Sequence, residues 1–164
     1  MLRFAITFLV LLVALFAIEL TPPGKAWFVD PWTNLVARSS AGMMAWMDPS
    51  VIAQGATVAS AKTGFAVTIL AGCNGVEAML VLVAGVLAYP APWRHRLLGL
   101  AIGIAAIQLL NLVRIVSLFY LGQWDRQWFE WAHLYLWQAL IMLDAVVVWL
   151  LWIRAVPAPA AARA

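Results

Sequence analysis

Gly64-Phe65-Ala66-Val67-Thr68-Ile69-Leu70-Ala71-Gly72-Cys73-Asn74-Gly75 runs straight into an apolar stretch from Val76 to Tyr89. The change of character between the two decides the fold. Gly64 to Leu70 is rich in β-branched and aromatic residues and reads as a strand. Ala71 to Gly75 carries the turn residues Gly, Asn and Gly. Val76 to Tyr89 is long and apolar and reads as a helix. The only cysteine, Cys73, sits at this strand–turn–helix junction. Backbone N–H groups at a helix start favour negative charge, so they are expected to lower the thiol pKa and make a nucleophile. The competing reading is a small buried hydrophobe, the common fate of a free cysteine.

Composition sets the frame. Of 164 residues, 66% are hydrophobic and 10% charged. A soluble chain of that length needs more polar surface, so the expected class is an all-α integral membrane protein of one domain, residues 1–153. One cysteine excludes an intramolecular disulfide and any zinc site built from several cysteines, and no metal or cofactor is expected. The net charge is only +3, and the arginines sit at the ends of apolar runs. That placement suits lipid headgroups rather than nucleic acid.

About four spans are expected, with an outer amphipathic helix and a small β-hairpin before the second span. Phe4 to Leu20 is the first, read as a retained helix because no small-x-small cleavage site follows. Pro22, Pro23 and Gly24 then break it. Trp27, Phe28 and Trp32 resemble an interfacial belt. Asn34 can cap a short helix to about Met47, with Leu35, Val36, Met43, Met44, Trp46 and Met47 on its apolar positions. Thr57-Val58-Ala59 and Phe65 to Leu70 form the hairpin around Ala61-Lys62-Thr63-Gly64. Alternatively, Gly64 to Tyr89 is one span. Val76 to about Trp93 is the second span and Pro90 to Arg96 a tight basic loop. Leu97 to about Tyr120 is the third span, Gly122 to Ala132 a loop, and His133 or Leu134 to Ile153 the fourth span. Residues 154–164 read as a Pro/Ala-rich disordered tail.

Basic residues give the orientation. Arg3, Arg94, Arg96, Arg154 and Arg163 fall on one side, with Arg94 and Arg96 in a tight loop. That side is expected to be cytoplasmic, with both termini there. Three unusual residues then reach one depth. Cys73 opens the second span from outside and His133 the fourth. Arg114 lies about 25 Å up the third, counted from Leu97 at the helical rise. A thiolate is a nucleophile, histidine moves protons near neutral pH, and arginine offers a permanently charged set of donors to an oxyanion. Together they describe acyl transfer on a peptide through a thioester.

Neighbours follow from spacing. Glu77 is four residues after Cys73 and is expected to pair with Arg114 or His133, as a structural ion pair rather than a catalytic one. Asn111, three residues before Arg114, is placed to hydrogen-bond it or the substrate. Gln108 and Asp144 both fall near mid-bilayer and are expected to join their helices. His95 is expected at headgroup level.

Cys73-Asn74-Gly75, then Asn111-Leu112-Val113-Arg114-Ile115, then His133 opening the last span, resemble the Cys/Arg/His core of the exosortase/archaeosortase family. The resemblance covers roughly residues 50–153, including the hairpin before the cysteine. The short chain resembles the exosortase H branch. It departs from many members in having Asn74 where they have serine, and in having about half their spans. The resemblance implies a cysteine transpeptidase or protease of the bacterial inner membrane, with its active site facing the periplasm. The implied substrates are exported proteins ending in a short motif, a transmembrane helix and a basic end. For the H branch that motif is of the Ile-Pro-Thr-Leu…Trp-Gly type. It also implies Cys73 as nucleophile, His133 as acid/base and Arg114 as oxyanion stabiliser. Two other readings stand beside it: a non-catalytic subunit or scaffold of an export complex, and a membrane protease that releases its product to water.

Overall fold

A computed structural model describes residues 2–156. Helix α1 spans Leu2–Leu20. Helix α2, Pro22–Gly24, follows at once and continues through a π-helical turn, Lys25–Val29, into α3, Asp30–Ala45. Strands β1 (Val51–Gln54), β2 (Thr57–Ser60) and β3 (Ala66–Thr68) form one antiparallel sheet in that order. Then come α4 (Val76–Ala88), α5 (Trp93–Trp124) and α6 (Arg126–Trp131). A second π-helical turn, Ala132–Leu136, leads into α7 (Trp137–Arg154).

Among the described residues, three helical stretches are long and apolar enough to cross a membrane: Leu2–Leu20, Trp93–Trp124 and Arg126–Arg154. The second expected span is shorter than read. At 13 residues, α4 reaches only roughly 20 Å. Gly75, at φ 77°, bounds it at one end, and Pro90 and Pro92 follow the other. The α4 face Val76, Met79, Leu82 and Val86 packs with Ile107 of α5 and with Ile141 and Ala145 of α7, while α1 also packs on α4.

Several boundaries differ from expectation, each for a local reason. Pro22 and Pro23 end α1 but also open the next helix. Thr21 caps it, its Oγ1 accepting from Gly24 N at 3.1 Å. Proline suits a first helical turn because its missing N–H has no partner there anyway. Asn34 is therefore inside α3 and caps nothing. Of the apolar positions expected to lie on the membrane or against the other spans, Val36 and Met44 are buried and Leu35 and Met43 are exposed, while Trp46 and Met47, also exposed, fall just beyond the end of α3. The buried stripe is instead Thr33, Val36, Ala37, Ser40, Ala41 and Met44. The hairpin is present, but β1 adds a third strand. Trp93 to Arg96 form the first turn of α5 rather than a loop. The segment 122–132 is largely helical, interrupted at Asp125, which caps α6 through Trp128 N at 3.0 Å. Of the expected tail, residues 157–164 lie outside the described residues.

Against this frame α3 covers the sheet and touches α5. Val36, Ala37, Met44, Val58, Ile69 and Phe119 form a core between them. That core fixes the position of β3 and of the turn after it.

Candidate active site

The turn 71–75 is held from several directions. Gly72, at φ 83°, and Gly75 take left-handed backbone that other residues resist. A Cβ at Gly75 would also lie 2.6 Å from Gln108 Nε2, so the Gln108 side chain would have to shift to admit one. Asn74 is fully buried. Its Oδ1 accepts from Val76 N at 3.0 Å, its Nδ2 donates to Thr33 Oγ1 at 2.9 Å, and its carbonyl accepts from Gln108 Nε2 at 3.4 Å. Asn74 thus ties the cysteine turn to α3, α4 and α5 at once. Glu77 Oε1 accepts from Gly72 N at 2.6 Å.

The turn delivers Cys73 to two partners. Its Sγ lies 3.1 Å from His133 Nε2 and 3.5 Å from Arg114 Nη2. Arg114 Nη1 also donates to the Gly72 carbonyl at 3.4 Å. The guanidinium is 2% exposed. Among the described residues the one salt bridge is Arg126–Glu130, so no carboxylate neutralises Arg114. A buried cation without an anion is costly, and such a group is a functional candidate by default.

His133 sits in the π-helical turn Ala132–Leu136, a local rewinding that re-aims side chains and recurs at functional sites. Its ring stacks on Phe129, four residues earlier, with centroids 5.7 Å apart and planes 11° from parallel. Cys73, Arg114 and His133 share a cavity of about 110 Å³ whose other walls are mostly apolar, among them Ile69, Leu70, Ile115, Leu118 and Phe129.

Burial pushes the Cys73 thiol above its ordinary pKa. Arg114 pulls it down and Glu77 pushes it up, each by less than burial does. The lowering expected from the helix start is therefore not the outcome. Asn74 already takes the first N–H of α4, and the sulfur lies ahead of the cap instead of on it.

The predicted trio meets; its expected neighbours behave differently. Glu77 pairs with neither Arg114 nor His133, because the Gly72 N–H is nearer and claims its carboxylate. Asn111 is fully buried, but both of its amide atoms lack partners, so it does not hydrogen-bond Arg114. Gln108 and Asp144 do not hydrogen-bond each other: Gln108 turns to Asn74, and Asp144 Oδ2 is buried without a partner. His95 stacks on Trp152, which donates to its carbonyl at 3.0 Å. Thr33 and Phe129 were not anticipated. Phe129 was within reach, since i and i+4 share a helix face once 126–136 is read as helical. Thr33 has no such signal; only the tertiary fold brings it to Asn74. No group of three or more metal-ligating side chains occurs among the described residues.

The family described as transmembrane exosortase matches residues 1–152, and the chain belongs to that family. No curated protein and no solved structure gave a match.

Proposed function

We propose that this multi-pass member of the transmembrane exosortase family is a cysteine transpeptidase acting on exported proteins. The observation that carries the reading is the contact set at Cys73: an imidazole at 3.1 Å and an unneutralised buried guanidinium at 3.5 Å from one sulfur. The raised thiol pKa supports a resting neutral thiol, with His133 Nε2 taking the proton as sulfur attacks. The new S–C bond converts the scissile carbonyl to an oxyanion, and Arg114 is the cation beside it. The C–N bond then breaks, and the leaving amine takes the proton from His133. The resulting thioester is resolved by an acceptor amine or hydroxyl, which transfers the product, or by water, which releases it.

The substrates in this reading carry a C-terminal motif, a transmembrane helix and a basic end. Such a substrate would lie beside the spans with its motif at the level of Cys73. The tight arginine pair Arg94 and Arg96, at the far end of α5 from Arg114, supports a cytoplasmic inner end and a periplasmic site in the bacterial inner membrane. Membrane lipid is the other partner; no cofactor or nucleic acid enters.

The decisive experiment is Cys73→Ala in cells that make a candidate substrate. Full-length, uncleaved substrate should accumulate. Unchanged processing would end the enzyme reading and return the chain to a scaffold role. Mass analysis of the mature C-terminus separates transfer from hydrolysis.

A further inference from the structure

Strand β3 is one of the two edges of its sheet, and among the described residues its outer side is unpaired. The register pairs Val58 with Val67, Thr57 with Thr68 and Ala59 with Ala66. Two flanking bonds set the phase: Ser60 N donates to Phe65 O, and Ile69 N to Ala56 O, both at 2.9 Å. Antiparallel pairs alternate, so residues 65, 67 and 69 turn their backbone groups toward β2. Ala66 and Thr68 therefore turn their N–H and C=O groups away from the sheet. Both residues are exposed, and among the described residues no hydrogen bond uses those groups. An open edge of this kind templates another strand.

The edge is continuous with the catalytic contacts. Val67, Thr68 and Phe129 line the 110 Å³ cavity holding Cys73, and the same three line a second cavity of about 380 Å³ that extends to Arg126 and Glu130. A chain paired to β3 would thus pass from one cavity to the other. Its alternate side chains would meet the apolar pocket at the sulfur on one side and the partly charged cavity on the other. We infer that β3 holds the substrate polypeptide by strand addition. The occupant is the extended segment beside the scissile bond, bound by main-chain hydrogen bonds to Ala66 and Thr68, with an aliphatic side chain in the pocket beside Cys73. The inference rests on the cysteine-transpeptidase reading and adds how the substrate is gripped.

The test uses the full chain in detergent micelles and three alkylating probes: iodoacetamide, leucine chloromethyl ketone, and acetyl-Ala-Ala-Ala-Leu chloromethyl ketone. In each ketone reaction sulfur displaces chloride and the thiol proton goes to His133. The peptide ketone should alkylate Cys73 about tenfold or more faster than leucine chloromethyl ketone, as two or more backbone bonds would give. Methylating its amide nitrogens one at a time should show alternation. Each methyl on a nitrogen facing β3 should cost about fivefold, while the two alternate ones should not matter. Thr68→Pro removes one outward N–H, a change an edge strand accommodates. It should lower the ratio of peptide-ketone rate to iodoacetamide rate by about fivefold. If that variant does not fold, the methylation series on the unaltered chain carries the test alone. Labelling without a peptide advantage, or without alternation, overturns strand addition and leaves the enzyme reading standing. Failure of every probe to label Cys73 overturns both.

Discussion

Cys73, Arg114 and His133 come from three elements and meet, whereas Gln108 and Asp144 come from two helices packed side by side and do not. Both groups are polar side chains at matched heights, on apolar helices or, for Cys73, in the turn that leads into one. The difference lies in rotation about the helix axis. Around Cys73 the turn glycines, the Asn74 contacts and the π-helical turn under His133 each re-aim a side chain toward one point. Nothing comparable turns Asp144 toward Gln108, and Asn74 draws Gln108 away. Equal depth is thus necessary for a site but far from sufficient. What assembles one is irregular backbone that brings side chains around to a common point.

The comparison predicts where activity resides, and the largest effect belongs at the imidazole. His133→Gln keeps a polar side chain on the π-helical turn but cannot shuttle a proton, so cleavage should fall about 10²–10⁴-fold. Single-turnover cleavage of a reconstituted substrate reads this directly; a loss under threefold would remove His133 as the proton carrier. Arg114→Lys should cost about 10²–10³-fold, carried by turnover more than by substrate affinity. An ammonium keeps the charge but cannot hold the Gly72 carbonyl and face the sulfur together. Retained turnover in Arg114→Lys would reduce the guanidinium to a packing group.

The thiol gives a smaller effect with a definite sign. Burial favours the neutral form, so the rate of Cys73 alkylation by iodoacetamide should still be rising with pH above the ordinary thiol value. Glu77 opposes the thiolate and Arg114 favours it. Glu77→Gln, which keeps an oxygen for the Gly72 N–H, should therefore move the midpoint down. Arg114→Gln should move it up. Opposite shifts would mean that the charges facing the sulfur have been misassigned.

How much of this was legible in the sequence follows the same division between depth and rotation. Hydropathy and arginine placement put Cys73, Arg114 and His133 at one height, because helical rise is fixed whatever the helix touches. The cysteine turn was legible too, since Gly72 and Gly75 leave few other conformations. Glu77, Asn111, Gln108 and Asp144 were read by spacing alone: a nearby backbone N–H or carbonyl claims Glu77 and Gln108, while both Asn111 amide atoms and Asp144 Oδ2 are left without a partner. Strand β1 escaped notice because Val51-Ile52-Ala53-Gln54 is short, and its pairing with β2 depends on Gly55 taking φ 59°. The break at Asp125 looked like a loop because the tryptophans around it suit either an interface or a helix.

Asp144 is where the comparison is most exposed. An ionisable residue inside an apolar helix is a functional candidate by default, and by that rule it should matter as much as Arg114. Its surroundings argue otherwise. Oδ2 is buried with no partner, and the residue lies outside the cavity that Cys73 shares with His133. An unsatisfied buried polar atom costs stability, and replacing it with an apolar group of similar size recovers that cost. Asp144→Leu should therefore leave cleavage within about twofold, the scatter of a change that touches no reacting group. Its thermal midpoint in micelles should rise by about 2–4 °C for each kcal/mol recovered. A collapse in cleavage with the midpoint unchanged would place Asp144 in the chemistry, and a height match alone would then have identified a working residue that the contacts miss.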